Sequence, residues 1–223
     1  MGHVKSWSYT RLTEYENCPH RYKLNLDKQL PFVETIEMKD GNLQHKQLED
    51  RVRDGKPMTD PRLQKMEPFC EKLDRMREKG ATILAETELV FSANFEERSW
   101  FAKDAWFRAK VDVGAIQGSH AFLGDYKTGK RRPDNDQLKL FAAAAFTKWP
   151  ELETIKTGFV WLKVNKVDGD VFHREQSPTI WEEFLGRLER IENSHQKNSW
   201  PCRPSGLCGW CPATKSQCDF SKN

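Results

Sequence analysis

Two short strands, each carrying an acid, constrain this chain more than any other feature. Residues 108–116 (RAKVDVGAI) and 121–128 (AFLGDYKT) read as strands, with Gln117-Gly118-Ser119-His120 between them. A hairpin closed by Gly118-Ser119 pairs Gln117 with His120, and one closed by all four residues pairs Ile116 with Ala121. Either register sets Asp112 opposite Asp125. Side chains so opposed have Cβ atoms roughly 5 Å apart, and like charges there destabilise a sheet. Residues two apart on a strand share a face, so Lys127 stands beside Asp125. A divalent cation would offset the repulsion. The segment therefore predicts an antiparallel sheet and a hard-metal site together.

The rest of the chain supplies helices around that sheet. Ser6–Leu26 has helical periodicity from a capping Ser8 to a break at Cys18-Pro19. Residues 31–40 read as a connection, and Gly41–Arg53 and Arg62–Lys79 as helices. Cys70 falls on the apolar stripe of the second and is expected in the core. Ala81–Ala93 reads as the first strand. Asp134 is placed to cap a helix over Asn135–Trp149, whose four alanines allow close packing on a sheet. Thr154–Val164 is a further strand, Asp168-Gly169 is expected as a hairpin turn, and Pro178–Asn198 is a last helix. The periodicity then stops, and residues 199–223 hold four of the six cysteines. The expected organisation is a domain over 1–198 and a cysteine-rich tail over 199–223 that packs back on the N-terminal region.

His45, Asp112, Asp125, Lys127 and Gln137 are the polar residues that stand out around the hairpin. Two carboxylates and an imidazole suit one or two hard divalent ions. Such ions polarise a phosphoryl oxygen and lower the pKa of a bound water. Lys127 beside them would orient the attacking water or stabilise the transition state. Lys130, Arg131 and Arg132 follow at once and suit phosphates, as does Arg21 interleaved with Tyr22 near the start.

GDYKTG, the preceding VDVGAI, QLKLF, GNLQH and the N-terminal YENCPHRYKL together resemble the RecB-like branch of the PD-(D/E)xK nucleases. The resemblance implies an α/β (α+β) fold with a restriction-endonuclease-like αβββαβ core, a helical N-terminal region and a Cys-rich tail. It implies Mg²⁺ or Mn²⁺ held by His45, Asp112 and Asp125 with the Tyr126 carbonyl. Lys127 would be the catalytic lysine and Gln137 part of the motif that positions it or contacts DNA. Phe141 stands where the branch has a tyrosine, one hydroxyl fewer.

The tail is similar to the iron–sulfur nucleases of this branch, through Cys18-Pro19-His20-Arg21-Tyr22 and Cys208-x₂-Cys211-x₆-Cys218. Their last interval is usually one residue shorter. The resemblance implies a [4Fe–4S] cluster on Cys18, Cys208, Cys211 and Cys218. Four thiolates also suit Zn²⁺, and Cys202 competes with Cys18 for the fourth place.

The expected function is a metal-dependent DNA exonuclease that hydrolyses phosphodiester bonds at DNA ends or on single strands. Its setting would be recombination, repair or phage DNA metabolism. The alternative is a non-catalytic DNA- or protein-binding module of the same fold. Net charge is only +3, so local basic stretches carry the argument for a nucleic-acid partner. The first ten residues lack the apolar core of a secretory signal, and no apolar run is long enough to span a membrane. The expected location is therefore the cytoplasm.

Overall fold

The computed structural model describes residues 3–130 and 135–222. The chain forms two compact units: Met1–Val33 with Glu183–Asn223, and Glu34–Glu182. The later boundary between the units falls between Glu182 and Glu183. In chain order the helices are α1 (Tyr9–Asn17), α2 (Pro19–Leu26), α3 (Ile36–Asp54), α4 (Glu67–Glu78), α5 (Asp136–Lys148) and α6 (Ser177–Lys197). The strands are β1 (Thr82–Phe91), β2 (Phe107–Gln117), β3 (His120–Lys127), β4 (Thr154–Trp161) and β5 (Lys166–His173).

In the Glu34–Glu182 unit the five strands form one sheet in the order β1-β2-β3-β4-β5. The β2–β3 hairpin pairs Gln117 with His120, so the two-residue Gly118-Ser119 turn is the one adopted, with Gly118 left-handed at φ 58°. β3 and β4 are parallel, and such a pair needs a crossover, which α5 provides. This is the expected αβββαβ order, with β5 added antiparallel to β4.

Both faces of the sheet are covered. α3 and α4 bring Leu48, Val52, Cys70 and Leu73 against Val113, Ala115, Tyr126 and Val160. Cys70 is thus a core residue as expected, and burial pushes its thiol up to about 12. On the other face Leu138 of α5 packs against Phe159 and Trp161 of β4. Ala142, Ala143, Ala144 and Ala145 are all fully buried, which lets this helix lie close to its neighbours.

Three local expectations change. α3 begins at Ile36 rather than Gly41, because Thr35 caps it by accepting a hydrogen bond from Met38 N. The helix expected from Arg62 opens as a 3₁₀ turn at Pro61–Met66 before α4 starts. Asp168-Gly169 lies inside β5 and makes no turn; the β4–β5 connection is at 162–165, with Asn165 left-handed at φ 51°. Gly169 is needed for close approach instead, since a Cβ there would sit 1.8 Å from the Thr157 carbonyl oxygen. The expected cap Asp134 lies outside the described residues.

The other unit joins the two ends of the chain. Ser8 caps α1, and Cys18 both ends α1 and caps α2, its thiol accepting from Arg21 N. Tyr15 Oη donates to the Arg190 carbonyl and lies 2.7 Å from Ser194 Oγ. The Glu192 carboxylate, buried, accepts from the backbone N–H groups of His3 and Val4. From the tail, Gln217 lies 2.8 Å through its carbonyl from His20 Nε2 and donates to the Gln29 carbonyl. Among the described residues no helix is long and apolar enough to cross a membrane.

Candidate active site

The acids meet where the sheet loosens. The β2–β3 ladder is regular from Gln117 and His120 to Val113 and Gly124, and its next pair would be Asp112 with Asp125. Instead of a backbone carbonyl, the Asp112 carboxylate takes the N–H of Tyr126 at 2.6 Å. On the other side the β1–β2 ladder holds Ala85 with Val113 and Thr87 with Val111, so Glu86 faces Asp112. Glu86 is left-handed at φ 50°, a conformation that costs a non-glycine residue about 1–2 kcal/mol. Three carboxylates therefore lie in a row across three neighbouring strands.

His45 reaches this row from α3. Its Nδ1 lies 3.5 Å from Asp112 Oδ2, and its ring meets the Tyr126 ring edge-on at 5.6 Å between centroids. Burial lowers the pKa of His45, which favours the neutral imidazole with a lone pair to offer a cation. Burial, and next the charge of Asp125, push Asp112 up to about 8. A cation would reverse that cost. His45, Glu86 and Asp112 offer donor atoms that all lie within 4.8 Å of one another, a set suited to a divalent metal.

The lysine is held in a clasp. Lys127 Nζ lies 2.6 Å from Asp125 Oδ2 and donates to Gln137 Oε1 at 3.0 Å, while Gln137 Nε2 donates to Asp125 Oδ1 at 2.7 Å. Lys127 Nζ also sits 4.9 Å above the centre of the Phe159 ring. Gln137 can do this because it stands in the first turn of α5, which starts a few residues after β3 ends. Asp125 Oδ2 is buried, and the Lys127 ammonium is the cation that meets it.

This arrangement of acid, acid-x-lysine and helix glutamine has a family. The model of the PD-(D/E)XK nuclease superfamily matches residues 6–219. The chain belongs to that superfamily. PD-(D/E)XK proteins are generally nucleases that depend on divalent metals, and nucleic acid is the substrate they imply. No curated protein matches the chain. Among the solved structures, SSO0001 aligns over 83% of this chain and 77% of its own, at 10% identity and a TM-score of 0.37.

The structure thus brings together Asp112, Asp125, Lys127, Gln137, His45 and the Tyr126 backbone. It adds Glu86, which the sequence reading missed as a candidate ligand. Residues 92–106 separate β1 from β2, and so long a connection leaves the register of Glu86 against Asp112 unspecified. Lys130 is exposed beyond β3, whereas Arg131 and Arg132 lie outside the described residues. Arg21 pairs with Glu14 at 3.7 Å. Tyr22, expected beside a phosphate backbone, is buried, with its ring stacked on Trp200 and edge-on to Tyr15.

In the unit that holds the chain ends, Cys18, Cys208, Cys211 and Cys218 line one cavity together with Cys202 and His20. Cys202 Sγ and Cys218 Sγ are 3.7 Å apart, and His20 lies within 4.8 Å of both. Cys208 Sγ accepts from Ser205 N. Burial, and then Cys218, push the Cys202 thiol up to about 11.

Proposed function

We propose that the chain is a Mg²⁺- or Mn²⁺-dependent deoxyribonuclease of the RecB-like branch, an exonuclease that works from strand ends or on single strands. The observation that carries the reading is the Asp125–Lys127–Gln137 clasp set against Asp112, Glu86 and His45. A binding module has no use for three acids in a row beside a fixed lysine. The metal would be held by His45, Asp112 and Asp125 with the Tyr126 carbonyl, joined by Glu86. Bound there, it would polarise the phosphoryl oxygen and lower the pKa of a water so that hydroxide is available as the nucleophile.

The chain's own residues do the rest. Gln137 fixes the Lys127 ammonium so that it meets charge developing on the phosphate without reorganising. Lys130, with Arg131 and Arg132 by sequence, would hold the neighbouring phosphates. A cytoplasmic role in recombination, repair or phage DNA metabolism goes with this reading.

The cysteine cavity belongs to the same proposal. Cys18, Cys208, Cys211 and Cys218 would carry a [4Fe–4S] cluster that joins the chain ends. One observation favours zinc on Cys202 and Cys218 instead. Their 3.7 Å spacing is close to the ~3.8 Å edge of a tetrahedral thiolate site with Zn–S of about 2.3 Å.

The deciding experiment incubates end-labelled linear DNA and closed duplex circles with Mn²⁺ or with EDTA. Short labelled products from linear DNA, untouched circles and no cleavage in EDTA are expected. Asp125→Asn should release nothing while keeping the wild-type circular dichroism spectrum. Binding without cleavage by the wild type would leave the non-catalytic module, and rapid cutting of circles would make it an endonuclease.

A further inference from the structure

Residues 92–106, between β1 and β2, carry the most exposed large apolar side chain among the described residues, Phe101 at 91%. An exposed phenylalanine on a slack loop would mean little. This loop is built. Arg108 on β2 donates to the carbonyls on either side of Phe101, those of Trp100 at 2.9 Å and Ala102 at 3.5 Å. Ala102 N donates to the Ser99 carbonyl and Ala105 N to that of Ala102. Arg98 ties Asp104 and Glu96, which also offsets their charge. The backbone is thus pinned on both sides of a ring that packs on nothing.

The same knuckle leads to the acids. The Trp100 ring lies 5.5 Å from Lys110 Nζ, and Lys110 Nζ lies 3.4 Å from Glu86 Oε2. Arg108, Lys110 and Asp112 alternate along β2 and share a face. At roughly 3.3 Å per residue, Arg108 is about 13 Å from Asp112, the length of about four stacked nucleotides. Lys103, exposed beside Phe101, adds a further cation to this path.

We propose that this knuckle is the platform on which the unpaired bases of a DNA strand stack while its phosphates pass Lys110 toward the acids. The proposal rests on the nuclease reading above and names the form of substrate that site receives. Every base has a π-face, so such a platform prefers unpaired bases over any sequence. A blunt duplex offers it only a terminal pair.

The test measures binding in EDTA, where no cleavage occurs, of a fluorescent single strand, the same strand with abasic positions, and a blunt duplex. Phe101→Ala should weaken binding of the single strand by about 5- to 150-fold, the range expected for losing one stacked base. Phe101→Tyr should restore it and Phe101→Leu should not, because a leucine keeps the apolar surface without the ring. The abasic strand should bind wild type and variants alike. Single-strand binding by Phe101→Ala equal to wild type overturns the platform, and so does full rescue by leucine, which would mean that apolar surface without ring stacking holds the strand. Cleavage by the wild type in Mn²⁺ is scored separately. Its absence removes the nuclease reading, whereas normal cleavage with unaltered strand binding in Phe101→Ala removes only the platform.

Discussion

Asp112 is nine-tenths buried among other acids, and its protonation should govern the stability of the metal-free chain. Its carboxyl holds a proton up to about pH 8 in the folded state but loses it near pH 4 when unfolded. Between those values the folded state binds more protons, so stability falls as pH rises, by at most about 1.4 kcal/mol per pH unit. Urea unfolding in EDTA should therefore show less stability near pH 8 than near pH 5. Asp112→Asn should flatten that slope, and Mn²⁺ should raise wild-type stability most at the alkaline end. Lys127 should behave differently. Held by Asp125 and Gln137, it would in the proposed reaction act on charge that appears only in the transition state. Lys127→Ala should lower single-turnover cleavage by about 100-fold or more while DNA affinity changes little. A collapse of affinity with unchanged turnover would make it a phosphate clamp.

Among the elements, α5 carries the site's glutamine and depends on a residue far from it. Arg174 donates from Nε to the Leu152 carbonyl at 2.5 Å and from its two terminal nitrogens to Phe146 and Trp149 at 3.1 and 2.8 Å. These are the carbonyls at and beyond the helix C-terminus, where a cation also meets the negative end of the dipole. Arg174→Ala should cost about 2–4 kcal/mol in urea unfolding, more than a surface arginine would. The β2–β3 hairpin and α5 were legible in the sequence because a two-residue turn fixes register and an alanine-rich run has one use. The acid pair and its lysine followed from that register. What stayed hidden depended on longer connections. Glu86 needed the β1–β2 register, which residues 92–106 leave open. Gly169 looked like a turn signal because the sequence cannot show how near the Thr157 carbonyl comes. Tyr22 looked like a phosphate neighbour because only tertiary packing places Trp200 over it.

At the scale of the whole molecule, the cysteines decide what the second unit contains. Protein purified without oxygen should be brown, with iron–sulfur absorbance near ~400 nm that Cys18→Ser removes and Cys202→Ser spares. Colourless protein with one zinc per chain, lost in Cys202→Ser and kept in Cys18→Ser, would give the cavity to zinc. The division of the chain adds an order in time. Glu34–Glu182 is one unbroken stretch, and Met1–Val33 has no complete unit to join until Glu183–Asn223 is made. During synthesis the sheet and its acids can therefore assemble first. The first helices can pack on each other through Tyr15 and Tyr22 but must wait for α6, whose Arg190 and Ser194 meet Tyr15. The unit that carries the acids is therefore older, within each copy, than the unit that joins the chain ends.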